Sequence, residues 1–385
     1  MGWKCNDCKN SVLFIELNKV ETIVIQEKNS TRIIKTLNKT TNNPLINIQC
    51  NKCGSSDVKW VEVFDQDDSY QFNQNMILSE NHTISTLVFE LTNQCDVNCI
   101  YCPKNGVKEL DFKIIKRLIV ENLKLKYPIK HFELGWDMGN PLLHSKINEI
   151  IKLFNGFECN VNILTNGKNF IENIKNLNIV NQKFTFFLDY PIQEENDRLM
   201  GKGVFNNTIK AFEYLNEKYI DFSVYMRLTK YNYDKIAEMQ KLIDKYGSNL
   251  IPTEVYPLGK TKIKMLMTDE MKKKAIFEII KLNLNKSIHF SSALLGHDCS
   301  YQRKLRLLID SEGMLSFCHF LSSIKNSKIA NVRNKHLLEL IQINHQIRDG
   351  FLKNKMKLFH DWKLPRKLSS PCSYCLYSFG INEKW

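Results

Sequence analysis

No run of eighteen or more apolar residues occurs in the 385-residue chain, so it offers no candidate membrane-spanning helix. Its first ten residues, MGWKCNDCKN, lack the apolar stretch of a secretory signal peptide. Nor is there a dense basic block. The formal charge of +13 comes from lysines spread along the whole length, the pattern of a solvated, lysine-rich surface. A nucleic-acid partner is therefore not favoured, although the charge leaves it open, and no membrane partner is expected. No solenoid-type repeat is found.

What the chain does have is cysteine, twelve residues of it, and without an export signal these read as cytoplasmic thiols that bind metal in preference to forming disulfides. They fall into groups: Cys5 and Cys8; Cys50 and Cys53; Cys95, Cys99 and Cys102; Cys299 and Cys318; Cys372 and Cys375, with Cys159 alone. Cys159 reads as a small buried apolar residue.

At this length two or three domains are expected. Residues 1–64 hold two Cys-x-x-Cys pairs separated by β-branched runs such as SVLFIEL and ETIVIQ. Two such pairs bring four thiolates to one tetrahedral ion, a closed structural set, zinc or a single iron. Residues 65–84 are polar and read as a linker. Over residues 85–290 the pattern alternates. TLVFELT, KHFELGW, NVNILTNG, KFTFFLD and DFSVYMRLT are strand-like, while DFKIIKRLIVENLKLK, SKINEIIKLF, NTIKAFEYLNEK and YDKIAEMQKLIDKYG repeat apolar residues at helical spacing. That alternation predicts parallel strands in an α/β barrel, open or closed. After residue 290 it stops, and KLRLLIDSEGMLSFCHF reads as two strands joined by a turn at Glu312–Gly313.

The cysteine triplet follows the first barrel strand directly, at the mouth where such folds place their chemistry. Three thiolates on a 4Fe–4S cluster leave one iron without a protein ligand. NQCDVNCIYCPKNG, with Tyr101 before the last cysteine, resembles the signature of the radical S-adenosylmethionine (SAM) superfamily. The resemblance covers roughly residues 86 to 380 and implies a partial (β/α)6 TIM-like barrel. It further implies an open iron that chelates SAM, reductive cleavage to a 5′-deoxyadenosyl radical, and abstraction of a hydrogen atom from an unactivated C–H bond. It also implies an external electron donor such as flavodoxin or ferredoxin.

Where the family has Gly-Gly-Glu-Pro to hold the methionine amino group, this chain has Met138, Gly139, Asn140 and Pro141. Asn140 stands in the glutamate's place, and Asp137 is the alternative carboxylate if the loop bulges. LTNG, with Asn166, and FFLDY, with Asp189, are similar to the family's third and fourth strand ends. Tyr101, Gly139, Asn140, Asn166 and Asp189 are thus the expected cofactor contacts. Asn166 reads equally as a turn residue before Gly167, and Asp189 as a helix cap.

The C-terminal set of Cys299, Cys318, Cys372 and Cys375 resembles the twitch domain, the shorter relative of the SPASM domain, over residues 291–385. It would saturate one auxiliary 4Fe–4S cluster, although four cysteines also suit zinc. The N-terminal pairs resemble a zinc ribbon or rubredoxin. A saturated second cluster favours a net two-electron oxidation. The expected substrate is a small molecule such as a sugar or cyclitol. The alternatives are a ribosomal peptide that is oxidised or cross-linked, RNA modification, or a redox scaffold without catalysis.

Overall fold

The computed structural model describes residues 84–102, 107–136, 139–180, 182–255, 263–282, 284, 301, 305–321 and 327–360, together with the backbone of six strands nearer the N-terminus. Cys8, Cys53, Asp137, Met138, Cys299, Cys372 and Cys375 lie outside the described residues, and Cys5 and Cys50 are described by backbone alone. No described helix is long and apolar enough to cross a membrane.

The chain divides into two compact units, the first formed by Met1–Leu78 with Asn148–Cys159 and Asn178–Asn181. Its strands are β1 (Gly2–Cys5), β2 (Leu13–Leu17), β3 (Glu21–Glu27), β4 (Ser30–Thr36), β5 (Ile48–Cys50) and β6 (Val58–Val61). They make an antiparallel sheet in the order β4-β3-β2-β5 and a separate β1-β6 ribbon. The ribbon's register sets Cys5 opposite Val58, shortly after Cys53, so backbone pairing returns the chain beyond the second Cys-x-x-Cys pair to the first. In this unit Cys159 is only half-buried, and its thiol donates to the Phe154 carbonyl at 3.7 Å. It is thus not the fully buried apolar filler that the sequence suggests.

The second unit carries the barrel. Six strands run parallel in chain order: β7 (Thr86–Phe89), β8 (His131–Leu134), β9 (Asn160–Thr165), β10 (Gln182–Phe187), β11 (Phe222–Leu228) and β12 (Asn249–Glu254). All four residues of β7 are buried, as a parallel strand covered on both faces requires. Phe184 and Phe186 of β10 meet Phe170, Phe212 and Phe222 edge-to-face at 4.9–5.8 Å, so the outer face of the sheet is sealed by aromatic rings. Helices α1 (Phe112–Leu123), α5 (Val204–Glu217) and α6 (Ile236–Asp244) bury one stripe each, and Asp111 caps α1 by accepting from the Lys113 N–H at 2.9 Å.

The fold departs from the simple alternation at its margins. β12 is a sixth parallel strand that the sequence pattern hides, since its Asn-Leu-Ile-Pro-Thr-Glu run is short and contains proline; as the edge of the sheet it tolerates that residue. Beyond residue 290, β13 (Arg306–Ile309) pairs parallel with β7, and β14 (Met314–Ser316) returns antiparallel through the turn at Glu312–Gly313. The C-terminal segment therefore extends the barrel's own sheet, in the order β12 to β7, then β13-β14-β15, where β15 is Lys328–Asn331.

Candidate active site

The loop after β7 carries the cysteine triplet, and its base is clamped. Thr92 Oγ1 and the Asn93 N–H both donate to the Lys108 carbonyl, at 2.9 and 3.0 Å, closing the loop between residues 93 and 108. Inside it the Cys102 N–H donates to the Cys99 carbonyl at 3.2 Å, a tight turn that keeps the last two cysteines on one side. The far wall is the end of helix α4 (Gln193–Met200): Ile100 N–H donates to the Leu199 carbonyl at 3.0 Å and the Cys99 thiol to the Met200 carbonyl at 3.7 Å. Cys99 is buried, while Cys95 and Cys102 are partly accessible. Burial pushes the Cys99 thiol up to about 12, Arg227 opposing, so without a metal it is a neutral thiol.

The glycines flanking this loop are there for space. Gly139 sits at φ +76°, and a Cβ there would meet the Thr92 carbonyl oxygen at 2.0 Å. Only glycine lets this backbone lie against the base of the cysteine loop. Gly167, at φ +78°, has Thr208 Oγ1 2.2 Å from where a Cβ would stand, so the Asn166 turn packs directly on α5.

Of the expected contacts, Asn140 and Asn166 come together around Asp96, the residue after Cys95. Asn140 is fully buried and caps the 3-10 turn Pro141–Leu143. Its Oδ1 accepts from Leu142 N–H at 3.3 Å and Thr165 Oγ1 at 3.2 Å, so its Nδ2 faces Asp96 Oδ1 at 3.4 Å. Asn166 is a turn residue and a site residue at once. Its Oδ1 accepts from Lys168 N–H at 2.9 Å, and its Nδ2 donates to Asp96 Oδ1 at 2.8 Å and lies 3.4 Å from Cys95 Sγ.

Tyr101 and Asp189 meet in a separate buried knot. The Tyr101 hydroxyl donates to Asp189 Oδ2, and burial holds the phenol far above its ordinary pKa, so it stays a donor. Asp189 Oδ1 also accepts from Arg227 N–H at 2.9 Å and Arg227 Nε at 3.2 Å. The guanidinium lies over the Tyr101 and Phe187 rings at 4.5 and 4.4 Å. Burial pulls the Arg227 pKa down, but Asp189, Tyr101 and Cys99 together more than offset this and hold it above the ordinary arginine value. Asp189 is no helix cap. Asn196 accepts from its backbone N–H at 3.0 Å, and Asn232 donates to its carbonyl at 2.6 Å. Arg227 is absent from the residues that the sequence reading singles out. Its signal was a charged residue inside the otherwise apolar run SVYMRL.

Below this knot, Glu133 accepts from Trp136 Nε1 at 2.5 Å and Arg306 at 2.6 Å, and Trp136 stacks on His319 with ring centres 4.0 Å apart. Cys318, next to His319, is buried in the same apolar cluster as Cys99, Tyr101, Trp136 and Tyr301. One expected auxiliary-cluster ligand and one ligand of the cysteine loop therefore belong to one continuous core. Among the described residues no three His, Cys, Asp or Glu side chains gather as around a single ion. A cubane makes a different demand, because its three thiolates are spread over separate irons. Three cysteines on one loop, an amide N–H at the Cys95 sulfur and a rim of Asp96, Asn140 and Asn166 fit such a cluster with a polar ligand on its open iron.

Residues 89–243 match the radical SAM superfamily. Over 181 residues the chain is 26% identical to the mycofactocin maturase MftC of Mycolicibacterium smegmatis, covering 45% of each protein. It is 31% identical over 176 residues to an uncharacterized protein of Methanocaldococcus jannaschii, covering 42% of this chain and 59% of that one. The match thus spans about half the length of these curated relatives. Streptococcus suis SuiB, solved with its precursor peptide SuiA, superposes over 69% of this chain and 66% of its own, with TM-score 0.55 and 18% identity, a likeness of fold. Over residues 89–243 this chain carries a radical SAM domain.

Proposed function

We propose that this protein is a radical SAM maturase that modifies a precursor peptide. The observation that carries the reading is the similarity to mycofactocin maturase over 181 residues. It favours a peptide over the sugar or cyclitol that the sequence alone put first, and nothing in the site favours RNA.

Cys95, Cys99 and Cys102 would hold the SAM-binding 4Fe–4S cluster. When bound, the cluster and SAM supply a 5′-deoxyadenosyl radical able to take hydrogen from an unactivated carbon. The chain's own contribution is placement. Asn166 keeps an N–H on the Cys95 sulfur, which favours the more negative, reduced cluster and raises its potential. The Arg227–Asp189–Tyr101 knot holds the inner wall of the mouth, and the Leu199 and Met200 carbonyls hold the cysteine loop against α4. Cys299, Cys318, Cys372 and Cys375 would saturate an auxiliary 4Fe–4S cluster, and Cys5, Cys8, Cys50 and Cys53 a zinc or single iron. Such a second cluster suits a net oxidation, because it can take an electron from a substrate radical. A flavodoxin or ferredoxin would supply the reducing electron in a cytoplasmic setting.

The test is anaerobic incubation of reconstituted protein with SAM, dithionite and the short peptides encoded beside its gene. We expect 5′-deoxyadenosine together with a mass loss on one peptide. 5′-Deoxyadenosine with every peptide unchanged, and a sugar oxidised in their place, would overturn the peptide reading.

A further inference from the structure

The Asp96 carboxylate is the target of three side-chain amides: Asn166 Nδ2 at 2.8 Å, Asn140 Nδ2 at 3.4 Å and Asn169 Nδ2 at 3.4 Å. The orientation of two of them is set by chemistry. Asn140 and Asn166 each accept a backbone N–H on their oxygen, from Leu142 and Lys168, so each must turn its NH2 group toward Asp96. The Lys168 ammonium, which could have neutralised the carboxylate, donates to the Asp96 backbone carbonyl at 2.9 Å. Among the described residues no cationic side chain pairs with the Asp96 carboxylate. It is held by neutral donors and remains partly accessible, one residue from Cys95.

That is an unusual arrangement for a carboxylate beside a cluster of thiolates, since the local charge is already negative. The carboxylate can still accept from a further donor at the mouth. SAM carries an α-amino group on the same methionine end that would sit at the open iron, and its N–H needs an acceptor there. Two other acceptors among the described residues at the mouth are committed. Asp189 is held by Tyr101 and Arg227, and the Asn140 oxygen by Leu142 and Thr165.

We infer that Asp96 is the carboxylate that accepts a hydrogen bond from the amino group of SAM, the role that the sequence offered to Asn140 or Asp137. Asn140, Asn166 and Asn169 are positioning residues that aim this carboxylate. A charged acceptor makes a hydrogen bond about twice as strong as an amide oxygen would, which offsets the missing glutamate before Pro141. The assignment rests on the radical SAM reading above.

The experiment compares SAM with its analogue lacking the α-amino group, by equilibrium dialysis against the reconstituted full chain. Asp96→Asn should bind SAM about 10–100-fold more weakly than wild type, the loss expected for a charged hydrogen bond, yet bind the analogue within about twofold. Asp96→Glu, which keeps the charge, should retain most of the preference for SAM. Iron content measured alongside checks that each variant keeps its cluster, and if Asp96→Asn loses iron the wild-type and Asp96→Glu preferences decide. Equal weakening of both ligands, an unchanged SAM affinity, or no preference for SAM in wild type or Asp96→Glu would overturn the role of Asp96 alone. Failure of the wild type to bind either ligand would overturn the radical SAM reading with it.

Discussion

Arg227 and Asp189 face each other at the ends of adjacent parallel strands, Nη2 to Oδ2 at 3.1 Å, with the carboxylate wholly out of water. A buried ion pair is modest evidence of stability, because both ions had to leave water. Its geometry is nevertheless demanding, and breaking it leaves a lone charge in the barrel mouth.

Asp189→Ala should accordingly destabilise the protein by about 3–5 kcal/mol in urea unfolding, as removal of one partner of a buried pair does. Asp189→Leu with Arg227→Met should cost less than the sum of the two single changes. Strict additivity would mean that the pair does not couple.

Gly139→Ala forces a side chain onto the Thr92 carbonyl at a position with φ +76°. We expect a loss of at least about 2 kcal/mol, the sum of a left-handed penalty and a steric shift. The cysteine loop should move with it, so the variant should retain less iron after reconstitution. A variant of wild-type stability and iron content would show that the loop does not depend on this close approach.

Cys99 offers a pH test in the metal-free protein. Burial, opposed by Arg227, raises its thiol from the ordinary 9.0 to about 12 in the fold. An acid with a raised folded pKa is held neutral, so its contribution to stability is complete below pH 9.0 and declines as the pH rises above that value. At pH 8 iodoacetamide should modify Cys99 more slowly than Cys95 or Cys102, because the thiolate is the nucleophile and Cys99 is the buried one. Peptide mass mapping after short pulses would show the order, and equal rates would contradict the burial.

The metal inventory tests the whole partition of the cysteines. Reconstituted protein should hold about eight irons and about one zinc, two cubanes and one four-thiolate ion. Replacing Cys95, Cys99 and Cys102 by Ala should remove about four irons and all 5′-deoxyadenosine formation. Replacing Cys372 and Cys375 by Ala should remove about four irons but spare some SAM cleavage. Cys159→Ala should change neither count nor cleavage. A count of about four irons and two zincs would make the C-terminal set structural.

Much of the barrel was legible along the chain, because its signals are local. Thr86–Phe89 is a continuous apolar run, Phe112–Leu123 repeats its apolar residues at helical spacing, and the cysteine triplet lies within eight residues of loop. The amino-acid order by itself therefore determined the alternation of strand and helix and the loop that bears the triplet. Only the tertiary structure decided that β13 closes against β7 across more than 200 residues, that Arg227 rather than solvent neutralises Asp189, and that three asparagines from two loops converge on Asp96. Those are long-range relations. A charged or amide side chain carries no periodic mark of its partner, and the pairing exists only once parallel strands bring their C-terminal ends to one mouth.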